Sequence, residues 1–174
     1  MFSLNKSNVA INKLNLLPDK KSQEQKGYLS SEQSNSANKI NLQKPFILIF
    51  GTDDETRFLF KTALEIWNYE VAEAENVEQA ISNTQLRCPE LILMDTEINL
   101  SESLTTMKNL QNYNQFKQTG FILISGHALE SFRQAALLAG ATIFLVKPID
   151  FELFEKSLQI YLENQRQKTM SFAK

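Results

Sequence analysis

Three polar residues in this chain each close a run of apolar ones. Asp95 follows Leu91-Ile92-Leu93-Met94, Ser125 follows Phe121-Ile122-Leu123-Ile124, and Lys147 follows Ile143-Phe144-Leu145-Val146. A short apolar run of this kind reads as a strand covered on both faces. Each polar residue then falls at the C-terminal edge of its strand, which is where ligands collect in an open α/β sheet. If the strands are parallel neighbours, a carboxylate, a hydroxyl and an ammonium converge on one small site. A carboxylate can attack phosphorus, and a hydroxyl and an ammonium can hold phosphoryl oxygens. The chemistry expected is acceptance of a phosphoryl group on Asp95.

The elements that must position these residues alternate between strand and helix. Phe46–Phe50, Glu70–Ala74, Leu91–Asp95, Phe121–Ile124 and Ala141–Val146 read as strands. Helical periodicity covers Glu55–Trp67, with Phe58, Leu59, Thr62, Ala63 and Ile66 recurring on one stripe. It continues in Val77–Leu86, in Ser101–Gln111 with Leu104, Met107 and Leu110 on one face, in Leu129–Ala139 closed by Gly140, and in Phe151–Leu162 with Phe154, Leu158 and Tyr161 inward. Asp53 or Asp54 can cap the first helix and Asn76 the second. Five β-α repeats with right-handed crossovers predict an α/β fold, a doubly wound parallel sheet.

Bulk composition narrows the function. The chain has 174 residues, 43% of them hydrophobic and 22% charged, as in an ordinary globular domain. No apolar run is long enough for a membrane span, and no secretory h-region opens the sequence, so the expectation is a cytoplasmic protein without a membrane. Residues 1–44 hold seven lysines against Asp19, Glu24 and Glu32, leaving eleven basic and seventeen acidic residues in the rest. An acidic body argues against nucleic-acid binding. The first 44 residues are rich in Asn, Ser, Gln and Lys and are expected to be a disordered, solvated tail, apart from Val9–Leu17, whose spacing suggests a short helix. The domain is placed at 45–163, with 164–174 as a C-terminal tail read as a frayed helix end and polar residues. Cys88 is expected to pack inertly and His127 to be an ordinary exposed loop residue, since neither has a partner cluster in the sequence.

Leu91–Asp95, Leu123-Ile124-Ser125-Gly126-His127-Ala128 and Phe144-Leu145-Val146-Lys147-Pro148, in this order and spacing, resemble the receiver domain of response regulators in two-component signalling. The stretches Asn68–Val71 and Ala74–Asn76 agree, and the resemblance spans Phe46–Leu162. It implies a flavodoxin-like (βα)5 three-layer sandwich with strand order 2-1-3-4-5. It implies that Asp95 is the phosphoacceptor, Ser125 the switch hydroxyl and Lys147 the lysine beside the acceptor. It also implies a bond before Pro148 that is commonly cis, and Phe144 either as a switching ring or as plain core. The partners implied are a histidine kinase or phosphotransfer protein upstream and a protein target downstream. The module signals by contact and is not an enzyme.

The chain departs from the family after its first strand. Receivers carry an acidic pair there that holds Mg²⁺, and an ungapped count puts Gly51-Thr52 in those places. Asp53 can substitute as a ligand or can merely cap the helix. With Asp95 and Glu97 it makes the candidate Mg²⁺ set, weakened by the loss of the pair, since a hydroxyl is a poorer Mg²⁺ ligand than a carboxylate. Asn99 and Ser103 stand where the family commonly has Pro and Gly. A second expectation follows, a phosphorylation-independent pseudo-receiver that works by binding. A flavodoxin-like cofactor enzyme is argued against by the acidic loop Gly51–Glu55, which has one glycine and cannot cradle a phosphate.

Overall fold

The computed structural model describes residues 9–11, 43–51, 53–96 and 99–172. These belong to one compact unit, apart from Gln43; the second unit, Lys13–Gln43, otherwise lies outside the described residues. Five strands run parallel, β2 (Phe46–Phe50), β3 (Glu70–Ala74), β4 (Leu91–Asp95), β5 (Gly120–Ser125) and β6 (Ile143–Val146). Their order across the sheet is β3-β2-β4-β5-β6. This is the doubly wound arrangement expected. A further strand, β1 (Val9–Ile11), adds to the β6 edge and runs antiparallel, with Val9 opposite Leu145 and Ile11 opposite Ile143. The short helix expected over Val9–Leu17 is therefore not what these three residues form. The open edge of β6 supplies a backbone ladder that an isolated short helix lacks. The remainder of that stretch lies outside the described residues.

Alternation along the strands sorts the core into two layers. Ile47, Ile49, Leu91, Leu93, Ile122, Ile124, Ile143 and Leu145 face one side and pack on Phe60 and Leu64 of α1 (Asp54–Ile66) and on Phe154, Leu158 and Leu162 of α5 (Phe151–Phe172). Leu48, Ile92, Met94, Phe121, Leu123 and Phe144 face the other. There they meet α2 (Val77–Asn83), α3 (Leu100–Asn112) and α4 (Glu130–Leu138) through Ala80, Met107, Leu110 and Ala136. Phe144 is 1% exposed, a core ring in this structure.

Several boundaries and faces differ from the sequence reading. The stripe that α1 buries is Arg57, Phe60 and Leu64, whereas Phe58, Leu59 and Ile66 are exposed. Asp53 begins the helix. As N-cap it accepts from the Thr56 amide at 2.7 Å, and the helix starts with the Arg57 face inward. The α2 helix stops at Asn83. Thr84 is buried, its hydroxyl donates to the Ala80 carbonyl at 2.6 Å, and Gln115 donates to that hydroxyl at 2.7 Å. Leu86 is left in solvent. Cys88, expected to pack, is exposed, and its neighbour Pro89 is buried instead. The α5 helix continues to Phe172, through the residues expected as a tail.

Candidate functional site

The site lies at the C-terminal edge of the sheet, where β2, β4, β5 and β6 end together. Register fixes the neighbours: Asp95 on β4 lies opposite Ile124 on β5, and Ser125 on β5 lies opposite Val146 on β6. The loops hold these ends in place. Thr96 is buried, and both its backbone N–H and its hydroxyl donate to the Ile124 carbonyl at 2.8 Å. The Lys147 amide donates to the Ser125 carbonyl at 2.8 Å, and the Lys147–Pro148 bond is cis. The Gly51 amide donates to the Ala74 carbonyl at 3.0 Å.

Two of the three predicted groups meet directly. Lys147 Nζ donates to Asp95 Oδ2 at 2.8 Å, with the Asp95 side chain only 9% exposed. Ser125 closes the adjacent strand and is buried; its Oγ accepts from the His127 amide at 3.1 Å. It does not line either of the two cavities at Asp95. His127 is exposed, as expected, with its ring edge-on to Phe132.

Beside Asp95 opens a cavity of about 400 Å³, within the range of small-ligand sites. Phe50, Gly51 and Asp53 line it from the end of β2 and the loop after it, Glu75, Asn76 and Glu78 from the loop after β3 and the start of α2, and Met94, Asn99, Glu102 and Ser103 from β4, the cap of α3 and α3 itself. Asn99 caps α3, accepting from the Ser101 amide at 3.0 Å, and its carbonyl accepts from the Ser103 hydroxyl. Asn99 and Ser103 thus shape the mouth of the cavity through local capping.

Asp53 lines this cavity and a smaller one that it shares with Asp95 and Arg57. Its carboxyl is held below the ordinary aspartate range, first by hydrogen bonds from Thr56 and then by the charges of Lys147 and Arg57. A carboxylate committed to a cap is a reduced donor for a metal. Among the described residues no three carboxylate, histidine or cysteine side chains come together as a metal's donor set. Glu97, the third candidate ligand, and Thr52 lie outside the described residues. Asp53 and Asp95 nonetheless both line the smaller cavity, and one or two carboxylates completed by waters are an ordinary Mg²⁺ donor set.

One residue of the site escaped the sequence reading. Arg57 is buried, and its guanidinium donates to the Gly51 carbonyl at 2.5 Å, to Asp54 and to Glu75 at 3.1 Å, with Glu73 at 3.7 Å. It ties the loop after β2 to the end of β3. The signal was present: 57, 60 and 64 form a helical stripe, and an arginine on a core stripe requires buried acceptors.

Comparison with known proteins agrees with this geometry. The family model for the response regulator receiver domain matches residues 47–159. The chain is 28% identical over 123 residues to the KDP operon transcriptional regulatory protein KdpE of Escherichia coli, covering 71% of this chain and 53% of that one. It is 25% identical over 120 residues to the transcriptional regulatory protein ZraR of Klebsiella oxytoca, covering 69% and 27%. It thus spans only about a quarter to a half of those two relatives. With the chemotaxis protein CheY of Bacillus subtilis it shares 32% over 103 residues, 59% of this chain and 84% of that one. Among solved structures, a response regulator from Thermotoga maritima superposes with a TM-score of 0.62 at 19% identity, over 70% of this chain and 99% of that one. The receiver domain of sensor histidine kinase PA1611 from Pseudomonas aeruginosa does so at 0.58 and 18%, over 70% and 99%, and that structure has a magnesium ion coordinated in its active-site cleft. The match to the family model over most of the chain, on a fold whose strand ends bring Lys147 onto Asp95, places this protein in the response regulator receiver domain family.

Proposed function

We propose that this receiver takes a phosphoryl group onto Asp95 from a histidine kinase or phosphotransfer protein, and that it signals by contact with a protein target. Receiver domains are signalling modules, and the observation that supports this reading here is the Lys147–Asp95 contact, with Asp95 itself on the wall of a cavity. It favours phosphoryl acceptance over a purely phosphorylation-independent role.

The chemistry follows from the groups on hand. An Asp95 carboxylate oxygen attacks phosphorus of the donor's phosphohistidine. The O–P bond forms, the P–N bond breaks, and the donor imidazole leaves with the electron pair. Anion meets anion in this step, so a fixed positive charge lowers the barrier. Lys147 supplies that charge and orients the carboxylate. In the product, Lys147 remains beside the phosphoryl oxygens. The Ser125 hydroxyl can turn to donate to one of them, a short-range rearrangement of the kind that biases a two-state element. Asp53, Asp95 and Glu97 remain the proposed Mg²⁺ ligands. A bound divalent ion would add charge neutralisation at the phosphoryl group.

The test is incubation with a small-molecule phosphodonor, with and without Mg²⁺, followed by intact mass. The expected outcome is a gain of one phosphoryl group in the wild type and none in Asp95→Asn. An unmodified wild type under both conditions, or an Asp95→Asn variant that gains the same mass, would overturn the reading.

A further inference from the structure

The two edges of the sheet are guarded differently. On the β3 edge, Glu70 pairs with Arg87 and Glu73 with Lys61, both at 2.6 Å. Charges on an edge strand discourage another chain from adding to it. The β6 edge has no such device. Its sequence, Ile143-Phe144-Leu145-Val146, has neither charge nor proline, and its first three residues are at most 2% exposed. Left open, such a strand presents unpaired N–H and C=O groups on an apolar segment, which is a template for association. It is instead paired along Ile143–Leu145 by Val9–Ile11. That strand is only three residues long, too short to template a further one.

We propose that Val9–Ile11 is an intramolecular guard strand, closing the β6 edge in cis and so keeping two copies of the chain from joining edge to edge through β6. Among the described residues, β1 pairs with β6 and with no other strand. Its β-branched ends, Val9 and Ile11, are residue types that favour strands. A tethered strand also holds a local concentration that a second copy must exceed.

The experiment uses the full chain. Consecutive strand residues point their N–H groups to opposite sides, so Val9→Pro/Ala10→Pro removes a ladder donor whichever way β1 lies. Hydrogen exchange over 143–146 is followed by mass spectrometry, and assembly by analytical ultracentrifugation. In the wild type, protection is expected to be independent of protein concentration and the chain monomeric. In the double variant, exchange of the amides facing β1 is expected to rise at least about tenfold, with concentration-dependent dimers. A synthetic peptide of residues 5–15 should restore both protection and the monomer. A triple variant, Val9→Gly/Ala10→Gly/Ile11→Gly, keeps every donor but raises the ordering cost, and should fall between the two. Far-UV circular dichroism checks that both variants remain folded. Equal protection in wild type and variants would overturn the proposal. So would wild-type protection that falls on dilution, which means strands exchanged between copies. An uncapped variant that stays monomeric at every concentration would also overturn it. None of these readouts requires phosphorylation, so they stand apart from the test of Asp95.

Discussion

Asp95 depends for its charge balance on a lysine that keeps 27% of its own side chain in water. Removing that lysine leaves a largely buried carboxylate short of a cation. With allowance for the partial exposure of Lys147, Lys147→Met is expected to cost about 1–2 kcal/mol, read as a lower urea midpoint, and to slow phosphoryl transfer from a small-molecule donor more than it lowers stability. Asp53 gives a prediction in pH. Its folded carboxyl titrates below the ordinary value because Thr56 donates to the charged form. A depressed acid contributes stability that is fully present above the unfolded value and is lost as pH falls through the folded one. Asp53→Asn keeps a capping oxygen but does not titrate there. The wild type should therefore lose its stability advantage over Asp53→Asn as pH drops below the ordinary aspartate range, measured as the difference in urea midpoints. At this scale the sequence revealed what strand ends reveal. Asp95, Ser125 and Lys147 each terminate an apolar run, and that position needs no knowledge of the loops. Arg57 was hidden because its acceptors lie on a backbone carbonyl and on carboxylates as far away as Glu75, eighteen residues on.

The elements show where local pattern was enough and where it was overruled. The strands β2, β3 and β4 match the sequence reading residue for residue; for β2 and β4, burial on both faces makes the apolar runs unambiguous, whereas β3 is an edge strand with two glutamates. The α1 helix was placed correctly to within a residue but turned to the wrong face. Its exposed side carries Phe58, Leu59 and Ile66, so apolar content alone misjudged the buried stripe. The β1 strand was not legible at all, since its three residues acquire structure only by pairing with an edge that lies far along the chain. The end of α1 rests on a detail that is testable. Asn68 follows the C-cap with φ of 67°, and the Tyr69 amide returns to the Leu64 carbonyl at 3.0 Å. Left-handed backbone suits Gly or Asn and strains other side chains. Asn68→Ala is expected to lose about 1 kcal/mol and Asn68→Gly to lose nothing, judged by thermal unfolding of the two variants side by side.

For the whole molecule, the five-stranded doubly wound core was predictable because every level agreed: period, strand length, crossover hand and capping residues pointed to one topology. What the sequence did not specify was the sixth strand and the full reach of α5. Cooperativity is the property that belongs to this scale. Trp67 is the single tryptophan, and its ring sits 5.8 Å from Phe154 and 6.1 Å from Phe151, at the junction of α1 and α5. Its fluorescence therefore reports packing on one face of the sheet, whereas far-UV circular dichroism reports all the helices. The two urea transitions are expected to coincide if both core layers unfold together; separated midpoints would show that the layers melt independently. The Lys147–Asp95 contact spans 52 residues of sequence. During synthesis the carboxylate is made long before its cation, and the hydroxyl of Ser125 comes between them. A nascent chain can finish the central strand and still have no cation beside its aspartate. The site is completed only by the last strand of the sheet, so a truncated or stalled product carries the aspartate without the environment that would make it responsive.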